Sequence, residues 1–195
     1  NKLFVFDLDG VLINSLDNMS QAWDAVRVKH EISIPFEYYK EQIGKPFPII
    51  MKELGLYDRH VEIFETYKTY SRMNLRSVEV YEGVVETLTS LKLNGNKIAL
   101  CTSKTKESVD KILYKLPEFD YISCPTAGLR GKPHPDQLLN VMAFCNTDPK
   151  DTIYIGDMFW DYEAAQRAGV HFEHATWGYG EVICEHSLKS ITNLI

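Results

Sequence analysis

Apolar positions in this chain alternate between two patterns. Short unbroken runs, Leu3–Phe6, Lys97–Cys101 and Thr152–Gly156, are rich in aliphatic and aromatic side chains and end at polar residues. Runs of this kind predict strands buried on both faces. Between them, apolar residues recur at three- and four-residue spacing, which predicts amphipathic helices. One stripe is Met19, Ala22, Trp23 and Val26; others are Ile49, Ile50 and Leu54, and Val61, Phe64 and Tyr67. Further along come Val84, Leu88 and Leu91, then Val109, Ile112 and Leu113 on a helix from about Lys106 to Leu116. Leu138, Leu139, Met142 and Phe144 follow, then Ala164, Ala165 and Ala168, closed by Gly169.

The first strand gives way to Asp7 and Asp9, and the second begins only near Lys97. That gap is far longer than a strand–helix–strand crossover needs, so a unit is inserted there. Residues 16–77 carry three helical stripes, few strand signals, and the punctuation Pro35, Gly44-Lys45-Pro46 and Gly55. They predict a small helical bundle over the strand ends. Beyond it strands and helices alternate, with short strands near Tyr121-Ile122 and Val170-His171-Phe172. The expected fold is α/β: a Rossmann-like three-layer α/β/α core with a parallel sheet from residues 1–15 and 78–195, plus the helical unit at 16–77.

Bulk properties narrow the function classes. The chain has 195 residues, is 45% hydrophobic and carries a net charge of −6. That charge argues against broad nucleic-acid or acidic-membrane binding. No apolar run approaches the ~18 residues of a membrane span, and the first residues read as a strand, not a signal peptide. Cys101, Cys124, Cys145 and Cys184 form no Cys-x-x-Cys. They read as small buried hydrophobes in a reducing, cytoplasmic setting. Oligomeric state is not readable.

Candidate chemistry sits at the strand ends, where open α/β sheets bind ligands. Asp7-Leu8-Asp9-Gly10 follows the first strand, and Thr102-Ser103-Lys104 the second. Gly131-Lys132-Pro133-His134-Pro135-Asp136 precedes a helix. Gly156-Asp157 ends the third strand, with Asp161 one helical turn on. Two carboxylates as close as Asp7 and Asp9 repel unless a cation or proton intervenes. A hydroxyl and an amide at a strand-to-helix turn, as at Thr102 and Ser103, suit an anion or an ordinary helix cap equally.

The four segments together, in this order, resemble the signature motifs of the haloacid dehalogenase superfamily, and within it the phosphoglycolate phosphatase-like group. The resemblance covers essentially the whole chain. It implies that Asp7 is the nucleophile, forming an aspartyl-phosphate, and that Asp9 protonates the leaving alkoxide and later activates water. It implies Mg²⁺ held by Asp7, the Asp9 backbone carbonyl and Asp157. Asp161 stands as a direct ligand, a ligand through water, an orienter of Lys132, or a helix cap. Thr102 and Ser103 would bind phosphate, and Lys132 would neutralise charge on Asp7 and the phosphoryl group. Lys104 reads as solvated surface charge.

The inserted unit would be the family's helical cap, with Ile43-Gly44-Lys45-Pro46 as the loop reaching the site. Lys45 is expected either to meet a second anionic group of the substrate or to be solvated. Val11 and Asn14 replace the Thr and Asp common in the family, which weakens phosphoglycolate as the substrate. Phe159 and Trp160 read as packing between cap and core, or as an aromatic wall for a ring-bearing substrate. The implied activity is hydrolysis of a small soluble phosphate monoester. A phosphosugar mutase of the β-phosphoglucomutase type uses the same motifs. A non-catalytic binding domain on this fold would be expected to have lost Asp7, Asp9, Lys132 or Asp157, and all four are present.

Overall fold

The computed structural model describes all 195 residues. Its core is one six-stranded sheet. β1 (Leu3–Phe6) lies between β4 (Lys97–Cys101) and β6 (Thr152–Gly156). β5 (Tyr121–Ser123) flanks β4; β7 (His171–Ala175) and β8 (Ser187–Leu188) extend the other side. Every neighbouring pair is parallel. Parallel strands need crossovers, and helices fill them on both faces. α5 (Val84–Leu93) and the short α6 (Lys106–Asp110) cover one face, while α7 (Asp136–Cys145) and α8 (Phe159–Ala168) cover the other.

The period of two explains why β1 is wholly apolar. Phe4 and Phe6 point into a core with Val84, Leu88, Leu91 and Val109. Leu3 and Val5 point into the opposite core with Leu138, Val141, Met142, Ala164 and Ala165. A central strand buried on both sides has no solvent face to leave polar.

Between β2 (Ile13–Asn14) and β3 (Glu79–Val80), a small antiparallel ribbon, the chain runs through four helices: α1 (Leu16–His30), α2 (Phe36–Lys40), α3 (Phe47–Glu53) and α4 (His60–Met73). The three stripes omitted α2, which is one turn long. These helices share a core of Met19, Ala22, Trp23, Val26, Tyr39, Ile50, Met51, Ile63 and Tyr67, to which Met158 from the core side adds. Trp23 is fully buried, and its indole N–H donates to the Ile34 carbonyl at 2.9 Å. Asn18 and Ser71 clamp α1 to α4 with two reciprocal 2.9 Å hydrogen bonds.

Three local expectations differ. Ile63, not Val61, anchors α4, because α4 packs on α1 through that face. The helix expected to reach Leu116 ends at Asp110, and a single 3₁₀ turn follows at Leu113–Lys115. Pro117 holds Leu116 in extended backbone (φ −121°, ψ 153°), which bounds that turn. In α7 the inward side chains are Leu138, Val141, Met142 and Cys145, whereas Leu139 and Phe144 are exposed. Phe144 stacks instead on Tyr121, centroids 4.1 Å apart.

Trp23→Ala should cost about 3–5 kcal/mol of unfolding free energy, since it empties the centre of the four-helix core. Urea denaturation checks it; a loss below about 1 kcal/mol would contradict this packing.

Candidate active site

Asp7 follows β1 directly, and its N–H donates to the Ile155 carbonyl, so sheet pairing fixes where the side chain starts. Gly10 then turns the chain at φ +83°. A Cβ there would also stand 2.3 Å from Oδ2 of Asp157. Glycine is therefore required twice, for its backbone and for the space it leaves beside that carboxylate. Gly178 makes room from the other side, where a Cβ would fall 2.2 Å from the Asp157 Cβ.

The structure brings Asp7, Asp157, Asp161 and Lys132 together. Lys132 is 1% exposed, and its Nζ lies 3.0 Å from Oδ1 of Asp7 and 2.8 Å from Oδ1 of Asp161. Tyr154, in β6, joins them: its hydroxyl donates to Asp161 at 2.7 Å and accepts from Lys132 at 3.2 Å. The remaining Asp161 oxygen accepts from the backbone N–H groups of Asp157 and Met158 at 3.2 and 3.0 Å. Asp161 thus both caps α8 and orients Lys132, and both its oxygens are engaged.

Asp157 is fully buried. Its Oδ2 accepts from the Tyr179 N–H at 2.8 Å, while Oδ1 is buried with no hydrogen-bond partner. Carboxylate oxygens of Asp7, Asp157 and Asp161 lie within 4.8 Å of one another. Burial raises the Asp157 pKa well above the usual carboxylate range, with the Asp7 and Asp161 charges adding to it. Burial likewise raises the Asp7 carboxyl to about 7, Asp161 and Asp9 adding and Lys132 opposing. Burial alone would lower Lys132, but the Asp161 and Asp7 charges outweigh it and hold the ammonium charged.

Asp9 belongs to a second network. Its Oδ1 accepts from the Ser15 hydroxyl at 2.6 Å and faces Nζ of Lys104 at 3.3 Å. The Lys104 side chain is only 9% exposed. Its expected place in solvent is therefore corrected: it is the counter-ion of Asp9. The Tyr179 hydroxyl accepts from the Ser15 N–H at 2.7 Å and lies 3.1 Å from its Oγ. Tyr179 thereby ties both networks together through its backbone and its phenol.

Asp7, Asp9, Thr102, Ser103, Lys104 and Lys45 all line one cavity of about 380 Å³ between the sheet ends and the four helices. Thr102 is buried and its hydroxyl accepts from the Lys104 N–H at 3.1 Å. Ser103 donates its hydroxyl to the Gly44 carbonyl at 2.6 Å. The loop at residues 43–46 thus reaches the core; a Cβ on Gly131 would strike Pro46 at 2.3 Å. The Lys45 ammonium turns from the carboxylates to Gln42 Oε1 at 2.8 Å and Glu53 at 3.7 Å, and sits 3.8 Å over the Trp160 ring. Trp160 and Met158 pack against the helical unit, while Phe159 is half exposed and neither aromatic lines the cavity.

Tyr154, Ser15, Lys104 and Tyr179 escaped the sequence reading as site residues. Tyr154 carried a signal, a phenol in the middle of an apolar strand that must find a partner when buried. So did Trp177-Gly178-Tyr179-Gly180, where glycines between aromatics mark close backbone approach; the Trp177 indole donates to the Val11 carbonyl at 3.0 Å.

Comparison with known proteins gives the family of the chain. The family profile of the haloacid dehalogenase-like hydrolases matches residues 4–175. Phosphoglycolate phosphatase 1 of Pseudomonas aeruginosa is 29% identical over 202 aligned residues, spanning 95% of this chain and 74% of that protein. Pyrophosphatase PpaX of Anoxybacillus flavithermus is 28% identical across 89% of this chain and 82% of its own. In fold, a haloacid dehalogenase-like hydrolase structure from Bacteroides fragilis superposes with a TM-score of 0.91 at 23% identity, covering 100% of this chain and 99% of that one. The chain belongs to the haloacid dehalogenase-like hydrolase family and is an enzyme of its phosphatase kind.

Proposed function

We propose that the protein hydrolyses a small-molecule phosphate monoester through an aspartyl-phosphate on Asp7, with Mg²⁺ as its cofactor. The observation that supports this best is the pairing at the end of β1. Two carboxylates two residues apart face one cavity, each with its own lysine: Asp7 with Lys132 and Asp9 with Lys104. Separate partners allow two roles in one reaction.

In the first step an Asp7 oxygen attacks phosphorus, the ester P–O bond breaks, and Asp9 delivers a proton to the leaving alkoxide. In the second, Asp9 takes a proton from water, the water oxygen attacks phosphorus, and the Asp7–phosphorus bond breaks to release inorganic phosphate. Ser15, itself fixed by Tyr179, holds Asp9 in the orientation that both transfers need. Lys132 balances charge on Asp7 and the phosphoryl group, and Asp161 with Tyr154 keeps the ammonium aimed there. Thr102 and Ser103, which line the same cavity, would bind the phosphoryl oxygens.

The donor set suits a divalent cation. Four carboxylates, Asp7, Asp9, Asp157 and Asp161, share the strand ends with two ammoniums, and one buried oxygen of Asp157 is unpartnered. Hard oxygen donors of this kind match Mg²⁺. Asp7 and Asp157 would hold it with the Asp9 backbone carbonyl, and Asp161, its oxygens already engaged, would act through water or through Lys132. When bound, the ion supplies charge neutralisation for an anionic nucleophile meeting an anionic phosphate. No helix is long and apolar enough to cross a membrane, and the net charge of −6 disfavours nucleic acid.

Asp7→Asn should abolish turnover of any phosphate monoester while leaving circular dichroism and the unfolding transition native-like. Asp9→Asn should lower kcat by about 10²–10⁴. Activity of the Asp7 variant within tenfold of wild type would exclude the covalent route.

A second prediction concerns pH. Between the ordinary carboxylate value of 3.8 and about 7, folded Asp7 keeps a proton that the unfolded chain has released. Stability of the EDTA-treated protein should therefore fall as pH rises through that window. At pH 8, Mg²⁺ should raise Tm by several degrees in the wild type and much less in Asp157→Asn. Thermal scans that show no Mg²⁺ dependence would argue against a metal at these carboxylates.

A further inference from the structure

The cavity over Asp7 and Asp9 has walls that its catalytic floor does not explain. Above the carboxylates stand Met19, Tyr39, Ile43, Phe47, Phe64 and Tyr67. The rings form a continuous cluster: Phe47 lies 4.9 Å from Phe64 and 5.3 Å from Tyr67, and Tyr67 lies 5.4 Å from Tyr39. Tyr39 and Tyr67 are buried, and burial pushes both phenols well above their usual pKa, so they present neutral surface. The volume of about 380 Å³ falls in the range, ~300–1,000 Å³, of pockets that enclose sizeable organic ligands. A two-carbon acid would leave most of that space, and its aromatic walls, untouched.

The cations that border the cavity are already committed. Lys104 is paired with Asp9 at the phosphate end. Lys45 is held by Gln42, Glu53 and the face of Trp160. Lys68 is ion-paired with Glu65, and its ammonium lies 5.6 Å over the Phe64 ring. His60 binds the Tyr57 carbonyl through Nδ1 at 2.7 Å and stacks on its ring. A second anionic group on the substrate would thus be desolvated beside aromatic side chains without an uncommitted cation to meet it, which is costly. An uncharged aromatic body would instead displace water from apolar surface and stack on the rings.

We propose that the cavity selects phosphate monoesters of uncharged aromatic or ring-bearing alcohols, and discriminates against esters bearing a second anionic group, such as phosphoglycolate or pyrophosphate. This rests on the phosphatase reading above and names the substrate class of that same site. Specificity lies in the α3–α4 wall, chiefly Phe47, Phe64 and Tyr67, and the Lys45–Trp160 contact fixes the loop that closes the cavity.

The test compares kcat/KM of the Mg²⁺-loaded enzyme for 1-naphthyl phosphate, 2-phosphoglycolate and inorganic pyrophosphate. The naphthyl ester should exceed both anionic substrates at least tenfold. Phe47→Ala should shrink that ratio at least tenfold, Phe47→Leu should restore part of it, and Phe64→Lys should shift preference toward phosphoglycolate. If phosphoglycolate or pyrophosphate equals or exceeds the naphthyl ester, the proposal is overturned while the phosphatase reading stands. If no ester is turned over, the phosphatase reading fails, and calorimetric binding to Asp7→Asn decides the selectivity alone. Tighter naphthyl phosphate supports it; equal or tighter phosphoglycolate overturns it.

Discussion

A lysine ammonium buried between two carboxylates holds this site in place. Lys132 is almost wholly excluded from water, so it must be neutralised locally, and Asp7 and Asp161 do so at 3.0 and 2.8 Å. The three residues come from different parts of the chain: the end of β1, the loop before α7 and the first turn of α8. Their ion network is therefore a tertiary constraint that fixes the strand ends relative to one another. Removing the ammonium would leave two buried carboxylates without a counter-charge, which is strongly destabilising. Tyr154 shares a hydrogen bond with both Lys132 and Asp161, and Asp161 spends its other oxygen on the α8 N-terminus. The orientation of the Asp7 carboxylate thus depends on a helix cap and a strand tyrosine.

The helical unit adds enclosure. Ser103 reaches up to the Gly44 carbonyl, Pro46 fills the space that Gly131 leaves, and Met158 inserts into the core of the four helices. These contacts cover the cavity around Asp7 and Asp9, where a lowered local dielectric strengthens each charge interaction. The same cavity brings aromatic side chains of α3 and α4 over the strand ends, so on the proposed reading chemistry and selectivity come from different units of the chain.

Much of this was legible in the chain itself. The continuous apolar runs of β1, β4 and β6 announced a doubly covered parallel sheet, because only strands buried on both faces lack alternation. Asp7, Asp9, Lys132 and Asp157 stand out in the sequence as candidates for chemistry because each is a charged residue beside a strand end or in a proline-constrained loop, and the fold gathers them at the strand ends. Partnerships were not legible. Lys104 looked like surface charge, since nothing local shows that Asp9 will stand 3.3 Å away. Tyr179 lies more than 160 residues from Ser15 in the chain, and only the fold brings its phenol there. Lys45 was visible as a loop lysine, but its direction depends on Trp160 and Glu53, which belong to other elements. Helix faces were read less well than strands, as with Val61 and Ile63, because α4 has apolar side chains both toward α1 and toward the cavity.

On the proposed mechanism Asp7 carries the phosphoryl group during turnover. Rapid acid quench of the enzyme with Mg²⁺ and a radiolabelled phosphate ester, followed by peptide mapping, tests it directly. Hydroxylamine-labile label should appear on the peptide containing Asp7 and be absent from Asp7→Asn. Steady turnover with no bound label at any quench time, or label on another residue, would contradict it.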